Sequence, residues 1–418
     1  MDNAKTGLRE GADLSEINLL DPLLMDGPYE FYGRLRREAP VWQVPHTQVF
    51  LVATWDLVMD ALGRPEDFSS NLTGILVCGA DGKPAVMEFP PDVIASAAIA
   101  TADPPAHTLH RKLAQPPLGL QAVARLEAAV TEAVDALLTP LLEHGGGDFM
   151  HSVANQLPAL VVTWILGLPP TDADKIMKWG VQGGDLLHGT RTIAEIVGIL
   201  PETEALSAYL DGQLEAARAA DSGEGMTGHL ARMIAEGVTD PLTARNILLV
   251  MVGAAVETTM SLIGNTLRLL VETPGLQARL RADPTLIPAL IEESARLDSP
   301  FKGHYRVVTR PCELGGVAFR PGDRLQLLWA SANRDERVIP NAEQMDLARP
   351  NLRRHLAFGH GLHFCIGAAL ARQEVRVVLE RLLARTAQME LGDGGVELVP
   401  SLFVRRLDRL DLRLTALG

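Results

Sequence analysis

The chain has 418 residues, of which 47% are hydrophobic and 22% are charged, a composition typical of a globular protein with a large core. It carries 38 basic and 52 acidic side chains, so its formal net charge is −14. Nucleic-acid binding needs a positive surface, and this balance argues against DNA or RNA as a general partner. At about 150 residues per domain this length suggests two or three domains but allows one large unit. No linker, repeat or low-complexity tract divides the sequence, and we expect one domain over residues 1–418.

The sequence indicates a cytoplasmic protein. Its first residues, MDNAKTGLREGADLSE, lack the apolar stretch of a secretory signal, and the longest apolar run, from Ile247 to Val256, has ten residues. A helix that spans a membrane needs about 20. Three widely separated cysteines do not indicate a disulfide framework. We therefore expect reduced thiols, with Cys78 and Cys312 as small apolar residues of the interior.

Helical periodicity dominates the sequence, and strand patterns are short. Near the start, PVWQV and QVFLVAT alternate like the two strands of a hairpin. Later, CELGGVAFRPGDRLQLLWA contains the Gly and Pro turns expected of a second small sheet. The predicted fold class is therefore mainly α with small β-sheets. In chain order, the first predicted helices are residues 28–37, 55–62, 121–143 and 155–167.

The strongest helical signal begins at TDPLTARN. Asp240 is placed to cap free N–H groups, Pro241 fits the first turn, and Pro274 prevents further extension. A helix of roughly 33 residues is about 50 Å long at 1.5 Å per residue. Its middle is apolar on every side, so we expect it to run through the interior of the protein.

Glu257, Thr258 and Thr259 interrupt this apolar stretch. An unpaired carboxylate costs several kcal/mol in a buried position, so a compensating contact is required. In a structural interpretation, the Thr258 hydroxyl bonds to the carbonyl of Ala254, and Glu257 has a basic partner. In a functional interpretation, the acid and the alcohol stand where protons enter a dry cavity. The pattern alone leaves both interpretations open.

A second charged pair lies in LIEESARLDSP, where Glu293 and Arg296 are three residues apart and share a helix face. Glu292 is also spaced to reach Arg296, and periodicity does not choose between the two acids. An exposed pair of this kind contributes only about 0.2 to 0.5 kcal/mol.

Four arginines gather near the C-terminal third of the chain without an acidic residue among them. Such a cluster is either a solvated face or a local docking patch for an acidic protein. Reversal of the charges at positions 353 and 354, with partner affinity as the measurement, distinguishes these interpretations. The four residues are Arg349, Arg353, Arg354 and Arg372.

The segment FGHGLHFCIG places Cys365 in an unusual setting. Gly359, Gly361 and Gly367 permit positive φ angles and close approach to a flat partner. Helical sequence follows, IGAALARQEVRVVLERLLA, so the sulfur is expected at a helix N-terminus. The helix dipole and free N–H groups there favour a thiolate and lower the thiol pKa. Apart from simple packing, this indicates a ligand or a nucleophile.

Three functional interpretations of the cysteine compete. A zinc site has the necessary atom types, but one short segment closes a tetrahedron with difficulty and no second cluster is present. A nucleophile could pair with His363, although nothing in the sequence indicates the remaining groups. The third is an axial thiolate on haem iron. The residues considered for zinc are His355, His360, His363 and Cys365.

Five segments, in the correct order, resemble motifs of the cytochrome P-450 superfamily. The propionate-binding segment is resembled by DPPAHTLHRKL, and the oxygen-binding part of the central helix is resembled by AAVETT. The Glu-x-x-Arg helix is resembled by EESAR, with Glu293 and Arg296 as the matched pair, and Arg349 resembles the arginine that completes their buried triad. SANRDERVIPNAEQMDLARP has the usual spacing before the haem loop. The resemblance covers at least residues 28–410 and is to soluble bacterial members, similar to a mycobacterial subgroup. The haem loop is matched by Phe358, Gly359, Gly361, His363, Cys365 and Gly367.

The resemblance implies a P-450 fold that holds heme b, iron protoporphyrin IX, between the long central helix and the helix after the cysteine loop. Cys365 is then the metal ligand, an axial thiolate that donates electron density to the iron. Haem propionates need paired donors if they are buried. The implied cofactor-binding residues are His107, Arg111, Arg306, Phe358, His363, Cys365 and Gly367.

The same resemblance implies a monooxygenase that inserts one atom of O2 into a small hydrophobic substrate, with Glu257 and Thr258 as the catalytic residues that govern proton delivery. Glu293, Arg296 and Arg349 are implied to brace the scaffold. The family usually has glycine where this chain has Ala255, and the methyl group is expected to narrow the oxygen site or limit the opening of the helix. A haem-thiolate protein that binds a ligand or senses gas without turnover is the alternative.

Electrons are expected from a separate ferredoxin and ferredoxin reductase, and we expect a monomer without a membrane segment. Lys302 and His304 are expected to face solvent; an inward position would indicate a polar group on the substrate. The expected pocket walls are residues 71–102, 182–199, Ala254, Val256, 301–304, Leu402 and Phe403.

Overall fold

The computed structural model describes residues 13–220 and 223–417. Helices predominate and the strands form small sheets, which confirms the predicted fold class. The helices are α1 (Pro22–Asp26), α2 (Tyr29–Glu38), α3 (Trp55–Leu62), α4 (Pro91–Ala95), α5 (Ala106–Ala114), α6 (Leu120–Arg125), α7 (Glu127–Glu143), α8 (Gln156–Leu166), α9 (Ala173–Asp185), α10 (Ile193–Ala219), α11 (Gly225–Ala235), α12 (Pro241–Glu272), α13 (Leu276–Ala282), α14 (Ile287–Leu297), α15 (Trp329–Ala332) and α16 (Ala368–Arg385).

The strands are β1 (Val41–Gln43), β2 (Val49–Val52), β3 (Phe68–Ser69), β4 (Gly74–Cys78), β5 (Pro84–Glu88), β6 (Gly146–Asp148), β7 (His304–Val308), β8 (Cys312–Leu314), β9 (Val317–Phe319), β10 (Arg324–Leu327), β11 (Thr386–Leu398) and β12 (Leu407–Ala416). Within the described ranges they form four sheets. The largest has the strand order β1-β2-β10-β7-β3, and the second has the order β11-β12-β6. The pairs β4-β5 and β8-β9 are two-stranded.

Most of the predicted elements form where the pattern placed them. Helices α2, α3 and α8 match their predicted segments to within one or two residues, and β1 pairs with β2 as an antiparallel hairpin. The predicted helix over residues 121–143 is instead two helices, α6 and α7. At Leu126 the N–H bonds to the carbonyl of Val123, three residues back, and the carbonyl accepts from Val130, four residues ahead. This tighter bond ends one helix and starts the next.

The prediction of a second sheet is partly wrong. β8 and β9 form the expected hairpin around Gly315 and Gly316, whose φ angles are 58° and 78°. β10 instead joins the largest sheet, parallel to β2 and antiparallel to β7. All four residues of β10 are buried, and pairing on both sides satisfies their backbone groups. The local turn pattern contains no information about this long-range choice.

Helix α12 is the central element of the fold. The Asp240 side chain accepts a hydrogen bond from the N–H of Thr243 at 2.9 Å, and Pro241 occupies the first turn, as predicted. In the part of the chain that the structure describes, α12 alone is long and apolar enough to cross a membrane. However, 67% of its most apolar window is buried within the protein. It is therefore the interior helix that the sequence predicted.

The packing around α12 determines where a cavity can form. Helices α8, α9, α14 and α16 all contact α12. Glycine permits the closest approach, because a Cβ at Gly180 of α9 would lie 2.6 Å from the Cβ of Val256. Cys365, in the segment before α16, and residues from the middle of α12 line the same cavity.

Candidate active site

An apolar cavity separates the middle of α12 from the segment that precedes α16. Its α12 wall includes Met251, Ala254, Ala255 and Thr258. The structure therefore brings the predicted alcohol and the predicted cysteine loop to the same cavity. The opposite wall includes Phe358, Gly359, His363, Cys365, Ile366 and Gly367.

Two left-handed glycines shape the cysteine loop. Gly359 and Gly361 have φ angles of 69° and 67°, which favour glycine over other residues. The N–H of Cys365 donates to the carbonyl of Phe358 at 2.8 Å and closes the loop. Gly367 differs from the prediction, because its φ angle is −90°. It caps α16, and a Cβ on it would lie 4.0 Å from the Cys365 sulfur.

The electrostatic setting of Cys365 also differs from the prediction. Burial raises the pKa of its thiol, and the N–H of Gly367, with Arg111 and Arg372, lowers it by less. The expected decrease in pKa is therefore wrong, because withdrawal from water outweighs the helix N-terminus. A free thiol in this position is a poor nucleophile. Direct coordination to a metal ion deprotonates such a thiol, so the setting favours a metal ligand.

The histidines of this segment do not form a zinc site. Nε2 of His355 lies 2.9 Å from Oε2 of Glu292, and Nε2 of His363 lies 2.9 Å from the hydroxyl of Ser70. Tetrahedral zinc requires its ligands to converge on one point, whereas these side chains have separate partners. Over residues 13–220 and 223–417, no group of three or more His, Cys, Asp or Glu side chains has the arrangement of a metal site.

Cationic and N–H donors gather at one edge of the cavity. Arg111, Arg306 and His363 line it, and the rings of His107 and His363 lie 4.2 Å apart, centroid to centroid. Burial lowers the pKa of Arg306 to about 10. Burial, with Arg306 and His107 nearby, lowers the pKa of His363 to about 3. His107 Nε2 is buried and has no hydrogen-bond partner among the described residues. This edge therefore fits a ligand that carries carboxylates.

Trp329 is a further donor at this edge that sequence reasoning missed. It lines the cavity, and its indole Nε1 is buried without a hydrogen-bond partner in the described part of the chain. Within the apolar sequence LQLLWASA, nothing distinguishes a tryptophan that faces a cavity from one that fills the core. Trp329 therefore adds an N–H group to the donors available for an anionic ligand.

The expectation that Lys302 and His304 face solvent is wrong. His304 lines the cavity, and burial lowers its pKa to about 4, so the imidazole is neutral. Lys302 is buried outside the cavity lining, and its Nζ donates to the carbonyls of Met25 at 2.9 Å and Ser401 at 2.6 Å. The backbone N–H of Lys302 also donates to the carbonyl of Phe403, which ties residues 301–304 to the interior.

Glu257 and Thr258 are neighbours on α12 but have different surroundings. Thr258 lines the cavity, and its hydroxyl donates to the carbonyl of Ala254 at 2.6 Å. Glu257 is buried behind the wall, with Oε1 3.0 Å from His188 Nε2 and 3.0 Å from Arg406 Nε. The Arg406 Nε–H is not aligned for a hydrogen bond, so this second contact is an ion pair. Both contacts of the structural interpretation are present, and they leave Thr258 at the cavity surface.

The α12 helix continues without a break past the position where the family usually has glycine. Ala255 lines the cavity there. The expectation that its methyl group narrows the oxygen site or limits the opening of the helix stays a prediction.

The expected pocket walls are partly wrong. Residues 71–98, residues 182–199, Val256, Leu402 and Phe403 do not line the cavity; Val256 packs against Gly180, and Leu402 packs against Gly189. Helix α8 contributes walls that the sequence missed, among them Val162, Ile165 and Leu166. The predicted walls that line the cavity include Ile99, Ala100, Ala254 and Phe301.

A buried charge cluster centres on Glu293 and Arg296 of α14. Arg296 Nε donates to Glu293 Oε1 at 2.7 Å, and Arg296 and Glu293 are 1% and 0% exposed. Arg349 Nε donates to the same oxygen at 3.2 Å. The structure thus chooses Glu293 as the partner of Arg296. Glu292 instead bonds to His355 and Arg372, and these contacts lower its pKa to about 2.

The predicted basic patch is divided by these contacts. Arg349 and Arg372 are engaged by Glu293 and Glu292 and do not form an open surface. The Arg353 side chain is 81% exposed. The sequence shows no acid between the four arginines, but Glu292 and Glu293, which lie earlier in the chain, pair with two of them.

Glu374 is an acid at the cavity that the sequence motifs do not single out. It is 2% exposed on α16, and its Oε2 has no hydrogen-bond partner among the described residues. Burial raises its pKa to about 8. At neutral pH the side chain is therefore mainly a protonated carboxylic acid beside the cavity.

Replacement of Glu374 by Gln is expected to reduce the pH dependence of stability. The folded protein retains this proton up to about pH 8, whereas a glutamic acid in water ordinarily loses it near pH 4.5, so the carboxyl weakens wild-type stability as the pH rises between these values. Between about pH 5.5 and 7.5, the wild type should lose up to about 3 kcal/mol of its free energy of unfolding. The variant should not show this loss. Urea unfolding at both pH values measures this difference. An equal change in Glu380→Gln, on the exposed side of α16, would contradict the assignment.

The cavity has Cys365 on one wall, Thr258 on another and donors for carboxylates at its edge, an arrangement that fits a haem-thiolate protein. A family model described as Cytochrome P450 matches residues 239–386. Cytochrome P450 144 of Mycobacterium tuberculosis is 38% identical over 385 residues, which cover 92% of this chain and 88% of that protein. The steroid C26-monooxygenase of the same species is 32% identical over 405 residues, with 94% and 96% covered.

Solved structures give the same result for the fold. The crystal structure of CYP109E1 from Bacillus megaterium in complex with testosterone matches with a TM-score of 0.84 and 25% identity. The match covers 93% of this chain and 98% of that chain. The chain therefore belongs to the cytochrome P450 family, whose members bind haem through a cysteine ligand, and the resemblance found in the sequence is confirmed.

Proposed function

We propose that this chain hydroxylates a bulky apolar molecule, with O2 as the oxygen source and a separate ferredoxin and its reductase as the source of electrons. The observation that carries the proposal is the apolar cavity that extends from Cys365 to Thr258. A soluble cytoplasmic monomer with one domain over residues 1–418 is part of the proposal. Burial of α12 within the core supports the soluble part of this proposal.

The residues around the cavity fit haem. Cys365 would bond to the iron, and the two propionates would accept hydrogen bonds at the edge where His107 Nε2 has no partner among the residues described. Haem, when bound, supplies the iron at which O2 is activated, in a reaction that consumes two electrons and two protons and yields hydroxylated product and water. The proposed donors to the propionates are His107, Arg111, Arg306 and His363.

The remaining loop residues keep the cysteine side of the cavity rigid and dry. The Arg372 guanidinium lies over the Phe358 ring, 4.2 Å from its centroid, and the same arginine bonds to Glu292. Phe358 is therefore held in place beside Cys365. We propose that Phe358 shields the sulfur from water and that Gly367 leaves room for the bonded thiolate.

The α12 wall would bind the substrate and manage its protons. Ala254, Ala255 and Met251 present apolar groups, so the binding free energy comes mainly from removal of apolar surface from water. In the proposal, the Thr258 hydroxyl holds a proton at Oγ1, and Glu257 supplies it from behind the wall. Transfer requires the Thr258 hydroxyl to exchange its bond with the Ala254 carbonyl for one directed into the cavity.

The substrate class that fits these walls is a rigid lipophilic molecule such as a steroid or a terpenoid. The names of two similar proteins mention steroids, one as a steroid C26-monooxygenase and one as a complex with testosterone. His304 and Trp329 are two of the polar residues in the cavity lining, and each offers an uncharged partner for one oxygen of the substrate or the cofactor.

A ferredoxin would dock near the cysteine loop. Lys112 and Arg353 are exposed cations, and the exposed side chains of Leu362 and Phe364 lie in the loop itself. Arg111 joins this surface to the loop, because it donates to the carbonyl of Phe364 at 2.7 Å. A small acidic partner complements these charges.

Replacement of Thr258 by Ala is expected to leave haem binding intact and to divert electrons into hydrogen peroxide. The variant loses the hydroxyl at the cavity surface but no contact at the iron side. General acid assistance contributes about 100-fold or more, so product per electron should fall by at least about tenfold. Product and peroxide are measured together with a supplied redox chain. Equal coupling in the wild type and in Thr258→Ala would contradict the role of the hydroxyl.

The function itself is tested with the purified holoprotein. Candidate steroids and terpenoids are titrated while the haem spin state is recorded, and those that bind are incubated with O2, ferredoxin, its reductase and an electron donor. The proposal predicts a hydroxylated product that contains one atom from labelled O2. If every ligand that binds and changes the spin state remains unoxidised, the alternative of a haem-thiolate binding protein is favoured.

A further inference from the structure

His304 and Trp329 are two polar residues of the cavity wall whose rings are neighbours. Both line the cavity, and their ring centroids lie 5.8 Å apart with an interplanar angle of 34°. His304 is the first residue of β7, where alternation along the strand places it on the same face as Arg306. The ring of Phe301, which also lines the cavity, lies 6.3 Å from that of His304. The pair is therefore adjacent both to the cationic edge and to an apolar wall.

The imidazole of His304 carries one hydrogen and one free lone pair. Burial, with the charge of Arg306 nearby, lowers its pKa to about 4, so the ring is neutral at physiological pH. Its Nδ1 lies 3.5 Å from the carbonyl oxygen of Tyr305. Because a carbonyl only accepts hydrogen bonds, this long contact places the hydrogen on Nδ1. Nε2, at the tip of the ring, is then an acceptor.

Each of the two rings has one nitrogen without a hydrogen-bond partner. In the part of the chain that the structure describes, the His304 ring bonds through Nδ1 and not through Nε2. The indole Nε1 of Trp329 is buried and also lacks a partner among those residues. An indole N–H only donates, whereas Nε2 of this tautomer only accepts. The wall thus presents a donor and an acceptor side by side, and a buried polar group without a partner is costly.

We propose that His304 and Trp329 bind a hydroxyl group of the substrate, which donates its hydrogen to Nε2 and accepts one from the indole N–H. A hydroxyl both donates and accepts, so one oxygen satisfies both nitrogens. Two hydrogen bonds of about 2.9 Å that share one oxygen span a distance comparable with the separation of the rings. The inference rests on the function proposed above and narrows its substrate class to lipophilic alcohols, such as a sterol or a terpenoid alcohol.

Other oxygen groups fit this pair less well. A ketone accepts from Trp329 but turns only lone pairs toward Nε2 of His304. A carboxylate also only accepts, so a haem propionate can use Trp329 but not His304. His304 is therefore the member of the pair that distinguishes a substrate hydroxyl from the cofactor. A substrate held here by its hydroxyl is oxidised at another carbon, so the expected product is a diol.

Matched ligands test the site in the purified holoprotein. Menthol and menthone differ only in whether one oxygen is a hydroxyl or a ketone, as do cholestanol and cholestanone. The dissociation constant of each is measured from the haem spin state. We expect each alcohol to bind about tenfold more tightly than its ketone, because the ketone leaves Nε2 of His304 unpaired. Equal affinities within both pairs, or binding of neither alcohol, overturn the inference.

Variants assign the preference to these two residues. His304→Leu removes the acceptor, so the ratio of alcohol to ketone affinity should fall from about ten to about one. Trp329→Phe removes a donor that both ligands use, so both affinities should fall by about three- to tenfold while their ratio is kept. His304→Gln offers an amide oxygen as acceptor and should restore part of the preference. His151→Leu, at an exposed histidine outside the cavity lining, is the matched control and should keep the wild-type ratio.

Three results contradict the hydroxyl site. The first is a wild-type ratio in His304→Leu. The second is a Trp329→Phe variant that loses haem but keeps both affinities, since the indole then serves the cofactor alone. The third is a shift toward low spin with the alcohols, which would mean that they bond to the iron. If His304→Leu does not retain haem, the wild-type ratio and the rescue by His304→Gln decide the question.

These titrations need no turnover, so the hydroxyl site and the proposed function fail separately. Tight binding of alcohols without any labelled oxygen in a product refutes the proposed function and leaves a site for a hydroxylated ligand. Labelled product combined with equal affinity for alcohols and ketones refutes the hydroxyl site and leaves the monooxygenase function intact.

Discussion

Cys365→Ser is expected to abolish the haem-thiolate spectrum and to lower hydroxylation by more than about 100-fold. Loss of an outer-shell partner of a metal ligand typically costs about 10–100-fold, and loss of the ligand itself exceeds that range. The hydroxyl is smaller than the thiol and is not deprotonated so readily, so the iron loses the electron donation of sulfur. The carbonyl adduct of the reduced variant should lack the red-shifted absorbance of the wild type.

The matched control is Cys312→Ser, because Cys312 is a free cysteine at the start of β8, away from the cavity lining. It should retain the wild-type spectrum and activity. Haem content per chain is measured in both variants, so that weak haem binding is distinguished from a changed ligand. A red-shifted carbonyl adduct in Cys365→Ser would remove the central assignment of the site.

Arg296→Met is expected to lower the free energy of unfolding strongly. Arg296 is 1% exposed, pairs with Glu293 and also donates to the carbonyls of Asn333, at 3.0 Å, and Gln344, at 3.0 Å. Its removal takes the two-point partner from the buried Glu293 carboxylate, which keeps only Arg349 and the N–H of Asp346, and removes one donor from each of three backbone carbonyls. Breaking such a pair costs about 3–5 kcal/mol, a large part of the about 5–15 kcal/mol that holds a typical domain together.

The expected result is a low yield of soluble holoprotein and a lower urea midpoint for the fraction that folds. Arg218→Met is the matched control, because Arg218 forms an exposed i,i+3 pair with Glu215 on α10. Exposed pairs contribute about 0 to 1 kcal/mol, so this variant should unfold at nearly the wild-type urea concentration. Equal midpoints for Arg296→Met and the wild type would show that the buried cluster is not needed for stability.

The sequence predicted those features that depend on short-range pattern. The caps of α12, the hairpin of β1 and β2 and the left-handed glycines of the cysteine loop follow from the preferences of a few adjacent residues. The motif resemblance then placed Cys365, His107, Arg111, Arg306 and His363 around one site. The structure brings these side chains together at one cavity or its edge, and their roles toward haem stay a proposal.

Long-range packing decided what the pattern did not. Glu292 and Glu293 are adjacent in sequence, and only the positions of Arg349 and Arg372 show which acid pairs with Arg296. Likewise, the sheet that β10 joins depends on β2, which lies far away in the chain. Periodicity and turn chemistry describe only neighbouring residues, so they do not predict these long-range contacts.

By itself the sequence determined the family, the main helices and the identity of the proposed iron ligand, because each depends on local order along the chain. The tertiary structure alone decided that Glu257 faces His188 instead of the cavity, that Lys302 is buried, and that burial raises the thiol pKa of Cys365. These outcomes depend on which groups exclude water from a given side chain. That is a property of the packed interior, where residues distant in sequence meet and charge is costly.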